Sequence, residues 1–283
     1  MPSSDPRNLV STAWLAERLQ APDLRIVDGS WHMPATGRSA KKEYAESRIP
    51  GAVFFDIDEI ADDASGLPHM LPDPVKFASR VRALGIGDGH RVVVYDSTGV
   101  FSATRVWWSF RAMGHTDVAV LDGGLPMWRA EGRPLEDGPP HPRQARHFTP
   151  RPNRALVRGA EQMLENVGRR HEQIMDARSR GRFHGQEPEP RPGLRGGHIP
   201  GSACLPFTEF MASDGRLKPA HELKAIFDAA GIDLAKPLVA TCGSGVSACV
   251  LALAAAVCGK DDVAVYDGAW AEWGAREDTP VLT

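Results

Sequence analysis

The chain is short of several things at once. Only four of its 283 residues are cysteine, at 204, 242, 249 and 258, and no two form a CxxC pair. That excludes a disulfide framework and a zinc site of ordinary ligand spacing, and it points to a reducing compartment. An excess of charge is lacking too: 33 basic residues stand against 36 acidic ones, a net charge of −3, so nothing draws the chain to nucleic acid or an anionic membrane. The longest apolar run, Ala248 to Val257, is far below the roughly 18 residues a bilayer span needs. The first residues, MPSSDPRNLVSTAW, show no basic stretch followed by an apolar one. The expectation is a cytoplasmic protein with no metal and no other cofactor.

What is present is a duplication. Ile26-Val-Asp28 returns as Ile174-Met-Asp176, and Arg48-Ile-Pro-Gly51 as His198-Ile-Pro-Gly201. Val92 to Asp96 returns as Leu238 to Cys242, and Val118-Ala-Val-Leu-Asp-Gly123 as Val263-Ala-Val-Tyr-Asp-Gly268. Each pair is separated by 145 to 150 positions, a near-constant offset that chance does not supply. Strand patterns alternate with helical ones in both halves: Ser11 caps a helix, Asp73-Pro74 opens another, and RVVVYD reads as a buried strand. This order predicts an α/β fold, two tandem copies, each a mostly parallel sheet flanked by helices on both faces. Copy one covers 1–140 and copy two 155–283; between them, 141–154 is dense in Pro and charge and reads as an unpacked linker.

One stretch organises the second copy. Leu238 to Thr241 has the length of a strand, Val246 to Val257 that of a helix, and Cys242-Gly-Ser-Gly lies between. A cysteine there stands at the carboxyl end of a strand, where open α/β sheets place ligands, with a glycine-rich turn and a helix N-terminus directing N–H groups toward it. Thiols so placed ionise readily, which makes Cys242 the candidate nucleophile. A packing cysteine would not require Gly243 and Gly245, whereas a loop wrapped round an anion would. The chemistry also requires that solvent reach this thiol. The first copy carries Asp96 at the equivalent position and has no nucleophile there.

Cys242-Gly-Ser-Gly-Val-Ser-Ala-Cys249, the His-Ile-Pro-Gly turn, Asp176 to Arg191 and Tyr266-Asp-Gly-Ala-Trp-Ala-Glu-Trp273 together resemble the rhodanese superfamily of sulfurtransferases. The loop is similar to that of the 3-mercaptopyruvate branch; the thiosulfate branch typically has Arg and Lys after the cysteine. The resemblance implies sulfane-sulfur transfer from 3-mercaptopyruvate through a Cys242 persulfide, with a thiol, cyanide or thioredoxin as acceptor and pyruvate as product. It implies Arg182 and Arg191 as the donor-binding cations, a bidentate role suited to arginine. Ser244 would donate to the carbonyl or pass a proton, while Gly243, Gly245, Val246 and Ser247 would present backbone N–H groups to the persulfide. Relatives often place Asp and His where Ser39 and Arg48 stand here, which puts a Ser-His-Asp relay in doubt. Arg178, Arg180 and Arg195 would add positive field, and His198 would hold its turn.

Three other readings compete. A cysteine phosphatase needs an arginine six positions past its cysteine, and Ala248 stands there. A thiosulfate sulfurtransferase would want cations inside the loop, which Gly243-Ser244 does not supply. A persulfide carrier acting only on a protein partner is the third.

Overall fold

The computed structural model describes residues 7–283 and resolves two compact units. In the first, a parallel sheet runs in the order β1-β5-β4-β2-β3, formed by β1 (Leu9–Val10), β2 (Leu24–Asp28), β3 (Val53–Phe54), β4 (Arg91–Tyr95) and β5 (Val118–Leu121). The second repeats it as β6-β10-β9-β7-β8, with β6 (Val157–Arg158), β7 (Gln173–Asp176), β8 (Ser202–Cys204), β9 (Leu238–Thr241) and β10 (Ala264–Tyr266). Every strand of one sheet thus has a counterpart five places on in the other. Registers match too: Asp28 pairs with Tyr95 as Asp176 pairs with Thr241. The duplication read from the sequence is a duplication of topology.

Helices flank both sheets. The first unit holds α1 (Thr12–Ala16), α2 (Ala40–Glu46), α3 (Pro74–Ala83), α4 (Ser102–Ala112) and α5 (Gly124–Ala130); the second holds α6 (Ala160–Arg169), α7 (Arg180–Phe183), α8 (Ala220–Ala229), α9 (Ala248–Val257) and α10 (Ala269–Trp273). Ser11 caps α1 through the Trp14 N–H, and Asp73 caps α3 through the N–H groups of Val75 and Lys76, with Pro74 where no donor is needed. Helix α9 is apolar all round and accordingly buried, from Ala248 through Ala256. Its small side chains let it lie close against the sheet.

The units are not a simple cut of the chain. Ala61–Leu71 packs with the second unit and Ser213–Leu217 with the first. Residues 141–152 do not float either: Phe148 is 1% exposed and sits among Phe77, Phe110 and His115. Carbonyls of this segment accept from Arg82 and from the Asp88 N–H, and Arg143 donates to Gly51 O. Composition alone misjudged it, because one aromatic and a series of backbone bonds suffice to dock an irregular strand of chain. No helix among the described residues is long and apolar enough to cross a membrane.

Candidate active site

Cys242 directly follows β9, and α9 begins at Ala248 with Ser247 as its first flanking residue. The loop between is held from below by the last helix: Trp270 N–H donates to Cys242 O at 2.9 Å and Ala271 N–H to Gly243 O at 3.0 Å. The same strut exists in the first copy, where Leu125 N–H donates to Asp96 O at 3.0 Å. Gly124 and Ala269 occupy equivalent turns at φ +54° and +51°, so the second copy places an alanine where the first uses glycine.

The first copy shows what this loop is shaped to hold. The Asp96 carboxylate is fully buried, and its Oδ1 accepts from Thr98 N (2.9 Å) and Oγ1 (2.6 Å) while its Oδ2 accepts from Phe101 N (2.8 Å) and Ala103 N (2.9 Å). An anion fixed to the end of the strand is thus ringed by main-chain donors of its own loop. In the second copy the counterparts of Thr98 and Phe101 are Ser244 and Ser247. Their N–H groups have no protein acceptor among the described residues. The third counterpart, Cys249 N, is turned to Val246 O at 3.1 Å instead.

Gly245 has φ +76° and so needs glycine. Gly243 does not adopt a positive φ. Its need is space, since a Cβ there would lie 2.7 Å from Arg182 Nη2. The predicted donor-binding arginine is therefore packed directly on the loop. Val246 and Ser244 are both buried. Arg191 lies half-exposed two residues beyond Glu189 in the excursion that follows α7.

Several expectations need correction. Cys242 is not open to solvent: it is 2% exposed. Arg178 contributes no free positive field, and Arg195 is turned to backbone carbonyls. Arg178 is buried, paired with Asp176 at 2.6 Å and stacked on the Trp270 ring at 4.0 Å. Arg195 donates to the carbonyls of Trp273, Gly274, Arg276 and Thr279 and so ties down the C-terminal segment. Trp270 supports the loop through its backbone N–H to Cys242 O. Asp267 accepts the Leu71 N–H at 2.7 Å. His198 does hold its turn, through Nδ1 to Phe183 O at 2.9 Å and a stack on the Phe183 ring, and burial depresses its basicity.

Ser39 and Arg48 have structural roles. Ser39 caps α2, and Arg48, fully buried, donates to Glu136 and to the carbonyls of Tyr44, Asp137, Gly138 and Pro139. His69, which the sequence reading did not single out, is buried at φ +60° in the 61–71 segment of the second unit, two residues before the Leu71 bond to Asp267. A lone His in a polar excursion has no periodic signal that would mark it. No cluster among the described residues could hold a metal ion.

Comparison with known proteins agrees with this geometry. The model of the Rhodanese-like domain matches residues 11–131 and again 159–276. The chain is 47% identical to 3-mercaptopyruvate sulfurtransferase of Mus musculus, covering 95% of this chain and 93% of that one, and 50% identical to thiosulfate sulfurtransferase of Bos taurus with the same coverage. Among solved structures, that of the 3-mercaptopyruvate sulfotransferase SseA from Escherichia coli superposes with a TM-score of 0.85 at 40% identity, covering 93% of this chain and 98% of that one. With the domain present twice, the same strand order in each copy and relatives matched over nearly the whole length, the chain belongs to the rhodanese family of tandem-domain sulfurtransferases.

Proposed function

We propose that the protein moves sulfur from 3-mercaptopyruvate to a thiol or cyanide, with residues 155–283 catalytic and 1–140 a non-catalytic copy joined through 141–154. The Cys242 thiolate attacks the donor's sulfur, the donor's carbon–sulfur bond breaks, and its electron pair leaves on the enolate of pyruvate. A proton from the Ser244 hydroxyl or water completes pyruvate. The outer sulfur then sits on Cys242 as a persulfide, facing the N–H groups of Ser244 and Ser247. An acceptor thiolate attacks that sulfur, the sulfur–sulfur bond breaks, and Cys242 returns as thiolate.

The observation that carries this reading is the Asp96 ring of donors in the sister loop, which shows the turn adapted to a strand-end anion. Cys242 is 2% exposed, against the expectation of an open thiol, so the mechanism requires a slim donor that presents its sulfur end-on or a shift of the loop. Overall identity does not separate the two donor classes, since relatives of both kinds are equally close. The loop does: Gly243 and Ser244 bring no cation, which favours a monoanionic donor over dianionic thiosulfate. Four free thiols fit a reducing aqueous compartment, the cytoplasm, and a reduced protein dithiol such as thioredoxin fits the acceptor's role. The ratio of kcat/KM for 3-mercaptopyruvate over thiosulfate tests the choice. A ratio well above one supports it, and a ratio below one reassigns the protein to the thiosulfate branch.

A further inference from the structure

Arg182 does not reach the loop by itself. Glu189, whose side chain is 2% exposed, accepts through Oε2 from Arg182 Nη2 at 2.5 Å and Nε at 3.2 Å. Through Oε1 the same carboxylate accepts from Arg178 Nη1 at 2.7 Å. Arg178 is in turn fixed by Asp176 at the end of β7, by Gly197 O at 2.8 Å and by its stack on Trp270. A row of alternating charges, Asp176, Arg178, Glu189, Arg182, therefore runs from the sheet to the loop and ends with a guanidinium against Gly243. Arg182 Nη1 has no protein acceptor among the described residues and is the donor group left for a substrate.

Such a row is a poor device for stability alone. Burying two carboxylates and the Arg178 guanidinium costs desolvation that apolar side chains of similar size avoid. What the row does provide is direction and charge balance at its loop end. Its two negative and two positive groups cancel, so a donor meets an aimed hydrogen-bond donor rather than an excess positive charge.

We propose that Glu189 is the positioning residue of the donor site and sets its charge preference, holding Arg182 in place while offsetting its charge so that a monoanionic α-keto acid is favoured over a dianion. This rests on reading Cys242 and Arg182 as the donor site. Glu189→Gln keeps the shape and removes the charge, leaving one uncompensated cation beside the loop. Glu189→Asp keeps the charge and shortens the reach.

The experiment measures single-turnover loading of Cys242 from 3-mercaptopyruvate and from thiosulfate, and separately the discharge of preloaded enzyme to cyanide, with the melting temperature of each variant. For Glu189→Gln the loading preference shifts about tenfold toward thiosulfate while discharge stays within about twofold of wild type. Glu189→Asp keeps the wild-type preference and raises KM for 3-mercaptopyruvate, and it decides the matter should Glu189→Gln not fold. An unchanged preference in folded Glu189→Gln, an equal loss in loading and discharge, or a shifted preference in Glu189→Asp overturns the inference alone. A wild type that loads from neither donor overturns the reading of the site and this inference with it.

Discussion

The backbone N–H of Trp270 donates to the carbonyl of Cys242 at 2.9 Å, so the peptide that follows Cys242 is fixed by the first turn of α10. Trp270 is itself held by its indole N–H to Arg195 O at 2.9 Å and by Arg178 stacked at 4.0 Å. Trp270→Phe keeps an aromatic ring and removes the indole donor. It should cost about 1–2 kcal/mol in urea unfolding and slow loading of Cys242. An unchanged midpoint would remove Trp270 as the loop's support.

Ala269, beside it, adopts φ +51°, a conformation in which its counterpart is Gly124. Ala269→Gly relieves that strain and should stabilise the protein by about 1 kcal/mol, offset in part by the greater freedom of the unfolded chain. A lowered denaturation midpoint would show that the Ala269 backbone is not strained.

Gly243 and Cys249 separate two kinds of loop residue. Gly243→Ala puts a methyl group 2.7 Å from Arg182 Nη2, and because Glu189 pins that guanidinium, it cannot simply swing away. KM for 3-mercaptopyruvate should rise about tenfold or more with a smaller change in kcat. Cys249 is buried beneath the loop and its thiol donates to Gly245 O at 3.2 Å, so Cys249→Ala should keep activity at a cost of about 1 kcal/mol. Equal kinetic effects of the two variants would contradict this division.

In the first unit, burial raises the Asp28 carboxyl from 3.8 to about 6. The unfolded chain therefore loses this proton first as pH rises. The contribution of Asp28 to stability is complete below about pH 4, falls away between about 4 and 6, and is flat above, a loss on the order of 2–3 kcal/mol at most. Asp28→Asn retains an acceptor for the Ser30 N–H and should abolish that fall. Parallel stability curves for the two proteins across this interval would refute the assignment.

Much of the architecture was legible because it was written twice. Strand patterns such as Arg91–Tyr95 and Leu238–Thr241 recur at one offset, and equal offsets imply equal topology. The strand edges Leu9–Val10 and Val157–Arg158 are too short to show a period. The exchange of Ala61–Leu71 between units left no local trace, since packing decides it. At the site, Cys242 and its glycine turn could be recognised from composition and order, although Gly243 proved to be required by a neighbour and not by its φ. The buried Glu189 that pairs with Arg182 could not be foreseen, because in a run of Pro and Glu it looks like solvated surface. The role of Arg178 was misjudged for a related reason: a charged residue is expected outside unless its partner, here Asp176, can be foreseen.

The most direct test of the account is the mass of the protein after reaction with 3-mercaptopyruvate in the absence of an acceptor. The account predicts a gain of one sulfur atom on the peptide that contains Cys242, lost again on adding cyanide and absent from Cys242→Ala. A sulfur found instead on Cys204 or Cys258, or turnover retained by Cys242→Ala, would contradict it. Both of those thiols are held above their ordinary range by burial, Cys204 to about 11, and neither is suited to attack at neutral pH.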